Sequence, residues 1–405
     1  MRTAENQIVI VGAGIGGLVA AIALRNAGLQ VLVLERVPEL KLVGSGITLQ
    51  TNSMQALARI DMADTVKKHG AELTYVSFCL DTGRQLLAAD MARFAGEFGQ
   101  PTVCIHRGLL QQLLLNELGR ENVQTGVCLT EIQQDEQLVR LANAEGTQWT
   151  ADAVIGADGI RSFVRSQLWD DIKLRKAPYT TWRGTCRNDG LVDDGQAIET
   201  WGNGKRFGFM PMDAETVYWF AAQTVASDKG RIDSSPAAMA SRFGNWHGPI
   251  GEIVRRTASA AFIQTDVYEL PRLKAWGRGR ITLLGDAAHA MTPNLGQGGG
   301  MAIEDAVVLA DVYNDSKGVE AWFREFANRR KRRTRAIASV SRRLGMLAQG
   351  DRRVTRFLRN LLISHMPKAI HDAHMRKLLC FAEKGRLQSG QRIERGPFVN
   401  QQRSF

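Results

Sequence analysis

The sequence is poor in cysteine, and the little it has is dispersed. Cys79, Cys104, Cys128, Cys186 and Cys380 form no C-x-x-C pair and no metal-type spacing, so neither a zinc module nor a disulfide framework is expected. Also missing is any run of roughly 20 uncharged apolar residues, which a membrane-spanning helix would need. The opening "MRTAENQ" passes straight into an apolar segment, without the charged, apolar and small-residue succession of a signal peptide. These absences lead to the expectation of a soluble, cytoplasmic protein without a metal. No RNP motif, zinc-finger spacing or interleaving of aromatic with basic residues occurs either, which argues against nucleic acid as a partner.

What is present begins with size: 405 residues, 44% of them hydrophobic, can bury a large core and suggest two closely joined domains. The net charge of +11 is concentrated late, in "FREFANRRKRRTRAIASVSRRL" (323–344) and "GDRRVTRFLRN" (350–360). Two readings stay open for that basic stretch. One is a solvated helix face. The other is peripheral contact of the basic C-terminal helices with an anionic membrane, because Val354, Phe357, Leu358, Leu361 and Leu362 fall on one helical side with arginines flanking them.

The segment "QIVIVGAGIGGLVAAIALRNAGLQVLVLER" (7–36) is the most legible. Ile8, Val9, Ile10 and Val11 suit a strand buried on both faces. Gly12, Gly14 and Gly17 then make G-x-G-x-x-G around Ile15 and Gly16, a small-residue helix runs to Gly28, and a second strand closes on Glu35 and Arg36. A pyrophosphate needs bare backbone N–H groups at a helix N-terminus, where side chains would hold it off. A carboxylate at the end of the second strand accepts hydrogen bonds from ribose hydroxyls. Strand, glycines, helix and acid in register predict an adenine dinucleotide, without separating FAD from NAD.

Three later segments add to this. In "VCIHRGLLQQLLLNEL" (103–118), Arg107 stands at the start of a helix, where the dipole disfavours a cation unless an anion neutralises it. "ADAVIGADGIRSFVRSQL" (151–168) ends a strand in Asp158-Gly159, followed by Arg161, Ser162 and Arg165. "RITLLGDAAHAMTPNLGQGGGM" (280–301) ends another in Gly285-Asp286, with Pro293 and a glycine run including Gly296, Gly298 and Gly299 before the helix "MAIEDAVVLADVY".

In order, G-x-G-x-x-G, D-G-x-x-S-x-x-R and G-D-A-A-H-x-x-x-P resemble the fingerprint of the single-component (group A) FAD-dependent aromatic monooxygenases, over roughly residues 7–365. The resemblance implies an α/β fold: a Rossmann-like FAD-binding domain with an inserted β-sheet substrate domain and a helical C-terminus. It places the FAD-binding domain at 1–75, 100–172 and 277–345, the β-rich substrate domain at 76–99 and 173–276, and a basic helical region at 346–405. It implies FAD as cofactor and NADH or NADPH and O2 as co-substrates, the reduced flavin forming a C4a-hydroperoxide that oxygenates an aromatic ring. By motif, Glu35 would hold the adenosine ribose, Arg107 would lie beside the flavin or its phosphates, Asp158 would serve FAD and NAD(P)H, and Asp286 would hold the ribityl chain or a phosphate. Pro293 would stiffen the turn, and the glycines would bring backbone amides and a positive helix end to the flavin's N1–C2=O edge. His289 is read as structure.

A hydroperoxide must be shielded from water, so an apolar pocket with few polar groups is expected. The strands "YTTWRGTCR", "AIETWGN", "KRFGFMPM" and "TVYWFAAQT" supply the candidates Trp182 or Arg183, with Arg206, Phe207, Phe209, Met210, Tyr218 and Phe220; their register stays open. Arg183 or Tyr218 would polarise a substrate oxygen, and Tyr218 could relay a proton. "ADGIRSFVR", "GNGKRFGF" and "GDAAHAMTPNLGQG" look most similar to bacterial 2-alkyl-4-quinolone 3-monooxygenases, whose substrates are lipophilic heteroaromatic rings. "GKRFGFMP" and "VYWF" are similar to urate and hydroxybenzoate hydroxylases too, which keeps a small polar aromatic (salicylate-, hydroxybenzoate- or urate-like) as the alternative. A non-hydroxylating NAD(P)H oxidase is a further one. The tryptophans make no W-x-W, the signature of the flavin-dependent halogenases that share this scaffold.

Overall fold

The computed structural model describes residues 7–42, 44–170, 172–225, 232–351 and 353–381, with Thr355 described by its backbone alone. The part of the basic C-terminal region from 382 to 405 therefore lies outside the described residues.

Strand β1 (Gln7–Val11) turns into helix α1 (Ile15–Asn26) and returns as β2 (Gln30–Leu34). Then come β3 (Gly46–Leu49), α2 (Thr51–Ala58), α3 (Ala63–His69), β4 (Ala71–Leu73), β5 (Tyr75–Leu80), β6 (Gln85–Asp90) and α4 (Met91–Phe98). β7 (Thr102–His106), α5 (Arg107–Leu118), β8 (Val123–Gln124), β9 (Leu129–Gln134), β10 (Val139–Asn143), β11 (Gln148–Ala151), β12 (Ala153–Gly156) and α6 (Phe163–Leu168) follow. The middle of the chain gives β13 (Arg175–Arg187), β14 (Gln196–Trp201), β15 (Lys205–Pro211), β16 (Thr216–Thr224), α7 (Pro236–Phe243), α8 (Ile250–Arg256) and β17 (Ile263–Glu269). It ends with β18 (Gly277–Arg278), β19 (Ile281–Leu283), α9 (Asp286–His289), α10 (Gly298–Asp311), α11 (Val319–Ala348), α12 (Arg353–Ser364) and α13 (Lys368–Leu379).

A six-stranded sheet in the order β18-β19-β12-β1-β2-β8 forms the base. From β19 to β8 all its pairings are parallel, so β19, β12, β1 and β2 end on one carboxyl edge. Ile8, Val9, Ile10 and Val11 are all buried, as a strand covered on both faces requires. Helices α1 and α10 pack against each other beside this sheet, with Gly16 of α1 directly against Ala302 of α10. The second large sheet, β17-β13-β16-β15-β14-β5-β6, is almost wholly antiparallel; the three-stranded sheet β3-β7-β4 lies between the two units in sequence and in contact. The α/β architecture expected from the sequence, with an inserted β-sheet and a helical C-terminus, is the one observed. Among the described residues no helix is long and apolar enough to cross a membrane.

Candidate active site

The four sequence motifs come together because they end four neighbouring parallel strands. Gly285-Asp286 follows β19, Asp158 follows β12, the glycine turn follows β1 and Glu35 follows β2. The carboxyl edge of a parallel sheet is where α/β proteins bind ligands, since the helices that follow point their N-termini there. Here α1 and α10 both do so.

The glycines of the first turn divide their work. Gly12 takes φ +107°, and a Cβ on it would run into the Ala157 carbonyl at 2.6 Å. A Cβ on Gly17 would overlap the Gly12 carbonyl oxygen, so this glycine lets α1 sit tightly on β1. A Cβ on Gly16 would press on Ala302 and Leu284 at 3.0 Å, and Ile15 is buried in the core. Only Gly14, the N-cap, would point a Cβ into open space. A pyrophosphate could approach the α1 amides there. Glu35 closes the turn: one carboxylate oxygen accepts from the Ala13 amide (2.7 Å), the other from the Val37 amide (3.0 Å). Gln111, which carried no sequence signal, donates to the Ala13 carbonyl (2.7 Å) and fixes the turn from α5. Arg36 is exposed beside it.

The second motif is chiefly a brace. Asp158 accepts from the Val164 amide (3.0 Å) and Ser162 from the Arg165 amide (2.9 Å), together capping α6. Arg165 spans to the Ala287 carbonyl (3.0 Å), next to Asp286. The other carboxylate oxygen of Asp158 is buried without a partner, and burial raises this carboxyl above its ordinary value.

Asp286 differs from these. Its carboxylate makes no hydrogen bond among the described residues and is open to solvent, yet protein surrounds it on the cleft floor. That desolvation raises the pKa of the carboxyl above its ordinary value, against the pull of His289 and Arg107. Arg107 is likewise accessible but enclosed: desolvation and the neighbouring Arg183 charge lower the pKa of its guanidinium, with Asp286 opposing. Neither Arg107 nor Arg183 has an ion-pair partner among the described residues, and their charges repel each other near Asp286. An anionic group between them would relieve that repulsion.

Gly298, Gly299 and Gly300 lie inside α10, not ahead of it as the sequence suggested, and Gly296 alone of the run precedes it; the helix starts at Gly298. A Cβ at Gly298 would meet nothing, one at Gly299 would press on Ile47 at 3.0 Å, and one at Gly300 would overlap the Ser53 hydroxyl. Gln297, the N-cap, offers no side-chain cap, which leaves first-turn amides for a ligand. Pro293 opens the short 3-10 turn that ends in Gly296 at φ +64°. His289 is engaged in the fold: its Nε2 lies 2.5 Å from Asp305, and its ring packs tilted against Trp276.

The segment that joins the two units was missed in the sequence. Ser45, Gly46 and Ile47 run between them: the Ser45 carbonyl accepts from the Arg107 amide (3.0 Å), Gly46 lies against the Tyr218 ring, and Ile47 touches Gly299. A side chain at Gly46 would overlap that ring. Two glycines flanking a serine, "GSG", were the available signal. Equally unforeseen is a buried polar chain under the α10 N-terminus. Gln50 and Asn52 bond Gln297 (2.6 and 2.9 Å), Asn52 bonds Glu304 (2.7 Å), and Arg330 pairs with Glu304 (2.8 Å) and Asp305 (2.6 Å).

The register of the large sheet sorts the substrate candidates. Arg183 opposes Phe220, and Tyr218 opposes Met210, so these four share the face toward β3. Tyr218 is buried; desolvation raises its phenol, which stays protonated at neutral pH, while Arg183 pulls the other way. Phe207, Phe209 and Trp182 alternate to the opposite face, where they form a core with Trp219, Met239 and Phe243 under α7 and α8. The expectation that they line the pocket is therefore corrected: β15 is apolar on both sides because helices cover its back. Arg206 shares the front face but is buried and already engaged, donating to Glu199 (3.1 Å) and Asn294 (2.6 Å). It ties the sheet to the late loop.

These residues fit FAD by three observations: open Cβ directions at Gly14 and Gly298, the glycines that begin the first turns of α1 and α10, an unpartnered Asp286, and unpaired arginines beside it. Comparison with known proteins agrees. The family described as FAD binding domain matches residues 5–338. Aurachin C monooxygenase/isomerase of Stigmatella aurantiaca is 35% identical over 378 residues, covering 92% of this chain and 98% of that one. The 2-heptyl-3-hydroxy-4(1H)-quinolone synthase of Pseudomonas aeruginosa is 33% identical over 366 residues, covering 89% and 94%. The crystal structure of Klebsiella pneumoniae HpxO with FAD and uric acid superposes with a TM-score of 0.86 at 27% identity, covering 92% of this chain and 96% of that one. Sequence, fold and cleft lead to one conclusion: this chain belongs to the single-component FAD-dependent aromatic monooxygenases.

Proposed function

We propose that the enzyme hydroxylates a lipophilic heteroaromatic ring of the 2-alkyl-4-quinolone class, using NADH or NADPH and O2. The carrying observation is the front face of the large sheet, where one unpaired cation (Arg183) and one neutral phenol (Tyr218) stand among Met210 and Phe220. Arg183 and Tyr218 beside apolar Met210 and Phe220 suit a greasy ring with a single oxygen to hold. The two relatives above, named for quinolone-type products or aurachin, share about a third of their residues over nearly their whole length.

In this reading residues 1–75, 100–172 and 277–345 hold FAD, and 76–99 with 173–276 form the substrate side. Glu35 and the α1 N-terminus take the adenosine end and pyrophosphate, Asp286 the ribityl chain, Arg107 a phosphate or flavin oxygen, and the amides of Gly298 and Gly299 the isoalloxazine. Once bound, FAD supplies hydride acceptance and oxygen activation. Arg183 orients and polarises the substrate oxygen, and Tyr218 donates a hydrogen bond or passes a proton. A small anionic ring is the second reading, favoured by the pair of unpaired arginines and by the fold shared with a uric acid complex.

The test is NAD(P)H consumption by the FAD-loaded enzyme with 2-alkyl-4-quinolones and, separately, with urate and hydroxynicotinate. Quinolone-stimulated consumption with a product one oxygen heavier supports the proposal. Turnover of urate alongside quinolone-stimulated peroxide alone would replace it with the second reading.

A further inference from the structure

Helix α12 is amphipathic but faces the wrong way for a globular core. At about 100° per residue, Val354, Phe357, Leu358, Leu361 and Leu362 share an arc of roughly 140°. All five point outward, between 45% and 70% exposed. The packed side instead carries Arg359, which is 2% exposed. Its guanidinium lies 5.3 Å from the centre of the Trp201 ring and donates to the Ala348 carbonyl (3.1 Å). Ile363 packs beside it with Leu86 and Trp201. A helix that buries an arginine and leaves a phenylalanine, a valine and three leucines in water opposes the ordinary sorting of side chains. Met346 and Leu347 before it, and Ile370 after it, are exposed as well.

Charge indicates what covers this face. From 342 to 379 the sequence has nine lysines and arginines against two aspartates, and one of those, Asp372, is held by Arg93. Arg343, Arg353 and Lys368, on α11, α12 and α13, are exposed. A second copy of this chain would bring the same positive charge against itself. An anionic bilayer would accept both components, apolar side chains at the acyl boundary and cations at the phosphates. We propose that α12 docks the enzyme in the plane of an anionic lipid surface. The docked helix would adjoin the substrate side, since Trp201 beneath it is the register partner of Arg206 on the face that bears Arg183 and Tyr218. This inference does not depend on which ring is the substrate.

The experiment is co-sedimentation of the full-length, FAD-loaded enzyme with vesicles of phosphatidylcholine alone or mixed with phosphatidylglycerol. The expected result is pelleting with the anionic vesicles at low ionic strength, and about tenfold less bound with phosphatidylcholine alone. Leu358→Glu/Leu362→Glu should lose binding by about tenfold, and Arg353→Gln/Lys368→Gln should weaken it by a smaller factor, with flavin absorbance unchanged in both. The wild-type chain remaining in the supernatant with anionic vesicles would overturn the proposal. So would a leucine double variant that pellets as well as wild type. If wild type ignores vesicles and the same variant converts a dimer to a monomer, the face belongs to a second copy and the lipid assignment is wrong.

Discussion

Gly14→Ala and Gly17→Ala add the same methyl group three residues apart, and the structure assigns them opposite consequences. At Gly14 the backbone is ordinary (φ −68°, ψ 173°), and the new Cβ would meet no atom within 4 Å. Replacing a glycine gains about 0.4–1 kcal/mol through the unfolded chain. Losing a favoured N-cap residue costs a similar amount. The stability of the FAD-free protein should therefore stay within about 1 kcal/mol of wild type. The methyl would, however, stand over the α1 amides. Losing one charge-assisted hydrogen bond of about 1.5–3 kcal/mol weakens FAD binding by roughly tenfold to a hundredfold. At Gly17 the methyl would overlap the Gly12 carbonyl oxygen, and separating helix from strand should cost about 1–3 kcal/mol in the FAD-free fold. Urea unfolding of the apoprotein and fluorescence titration with FAD measure the two effects independently. Native FAD affinity in Gly14→Ala, or equal apoprotein destabilisation by both substitutions, would refute the reasoning.

Asp286→Ala should weaken FAD retention without lowering the melting temperature of the apoprotein, because this carboxylate has no protein hydrogen bond to lose; unchanged FAD affinity would remove the role assigned to it. Arg330→Met should destabilise the fold by about 3 kcal/mol in urea, the lower end for breaking a buried pair, since Arg333 and Asn52 still hold Glu304; a loss under about 1 kcal/mol would show the pair to be dispensable. Asp305 is buried, which raises a carboxyl, but His289 and Arg330 outweigh this and hold it below its ordinary 3.8. Its contribution to stability is thus complete above that value and lost as pH falls through the lower folded one. Asp305→Asn should be less stable at neutral pH and lose less on acidification, and a parallel pH profile would contradict this. Tyr218→Phe preserves the ring against Gly46 and should leave FAD binding intact while lowering kcat by at least about tenfold; a native kcat would restrict Tyr218 to packing.

The strand-end motifs were legible because each is local. A glycine turn, an aspartate and the helix after them are dictated by backbone geometry within a few residues, and parallel pairing then lines them up on one edge. The face of β15 was not legible. "KRFGFMP" is apolar on both sides, so alternation could not tell Phe207 and Phe209, which pack under α7 and α8, from Met210, which faces β3. The run "FANRRKRRTR" reads as solvated charge, yet Arg330 within it is wholly buried. Its partners Glu304 and Asp305 lie in "MAIEDAV" on another helix, and such long-range pairing leaves no periodic signal. The inward turn of Arg359 left no periodic signal either: its partners are the Trp201 ring, far away in sequence, and the Ala348 carbonyl on the preceding helix.

The most direct test of the account is a crystal structure of the protein with FAD bound. It should show the pyrophosphate at the amides following Gly14, Asp286 on the ribityl chain, and the isoalloxazine between the Gly298–Gly299 amides and the sheet face that carries Arg183 and Tyr218. A flavin ring lying away from the α10 N-terminus, or on the Phe207–Phe209 side of the sheet, would contradict it.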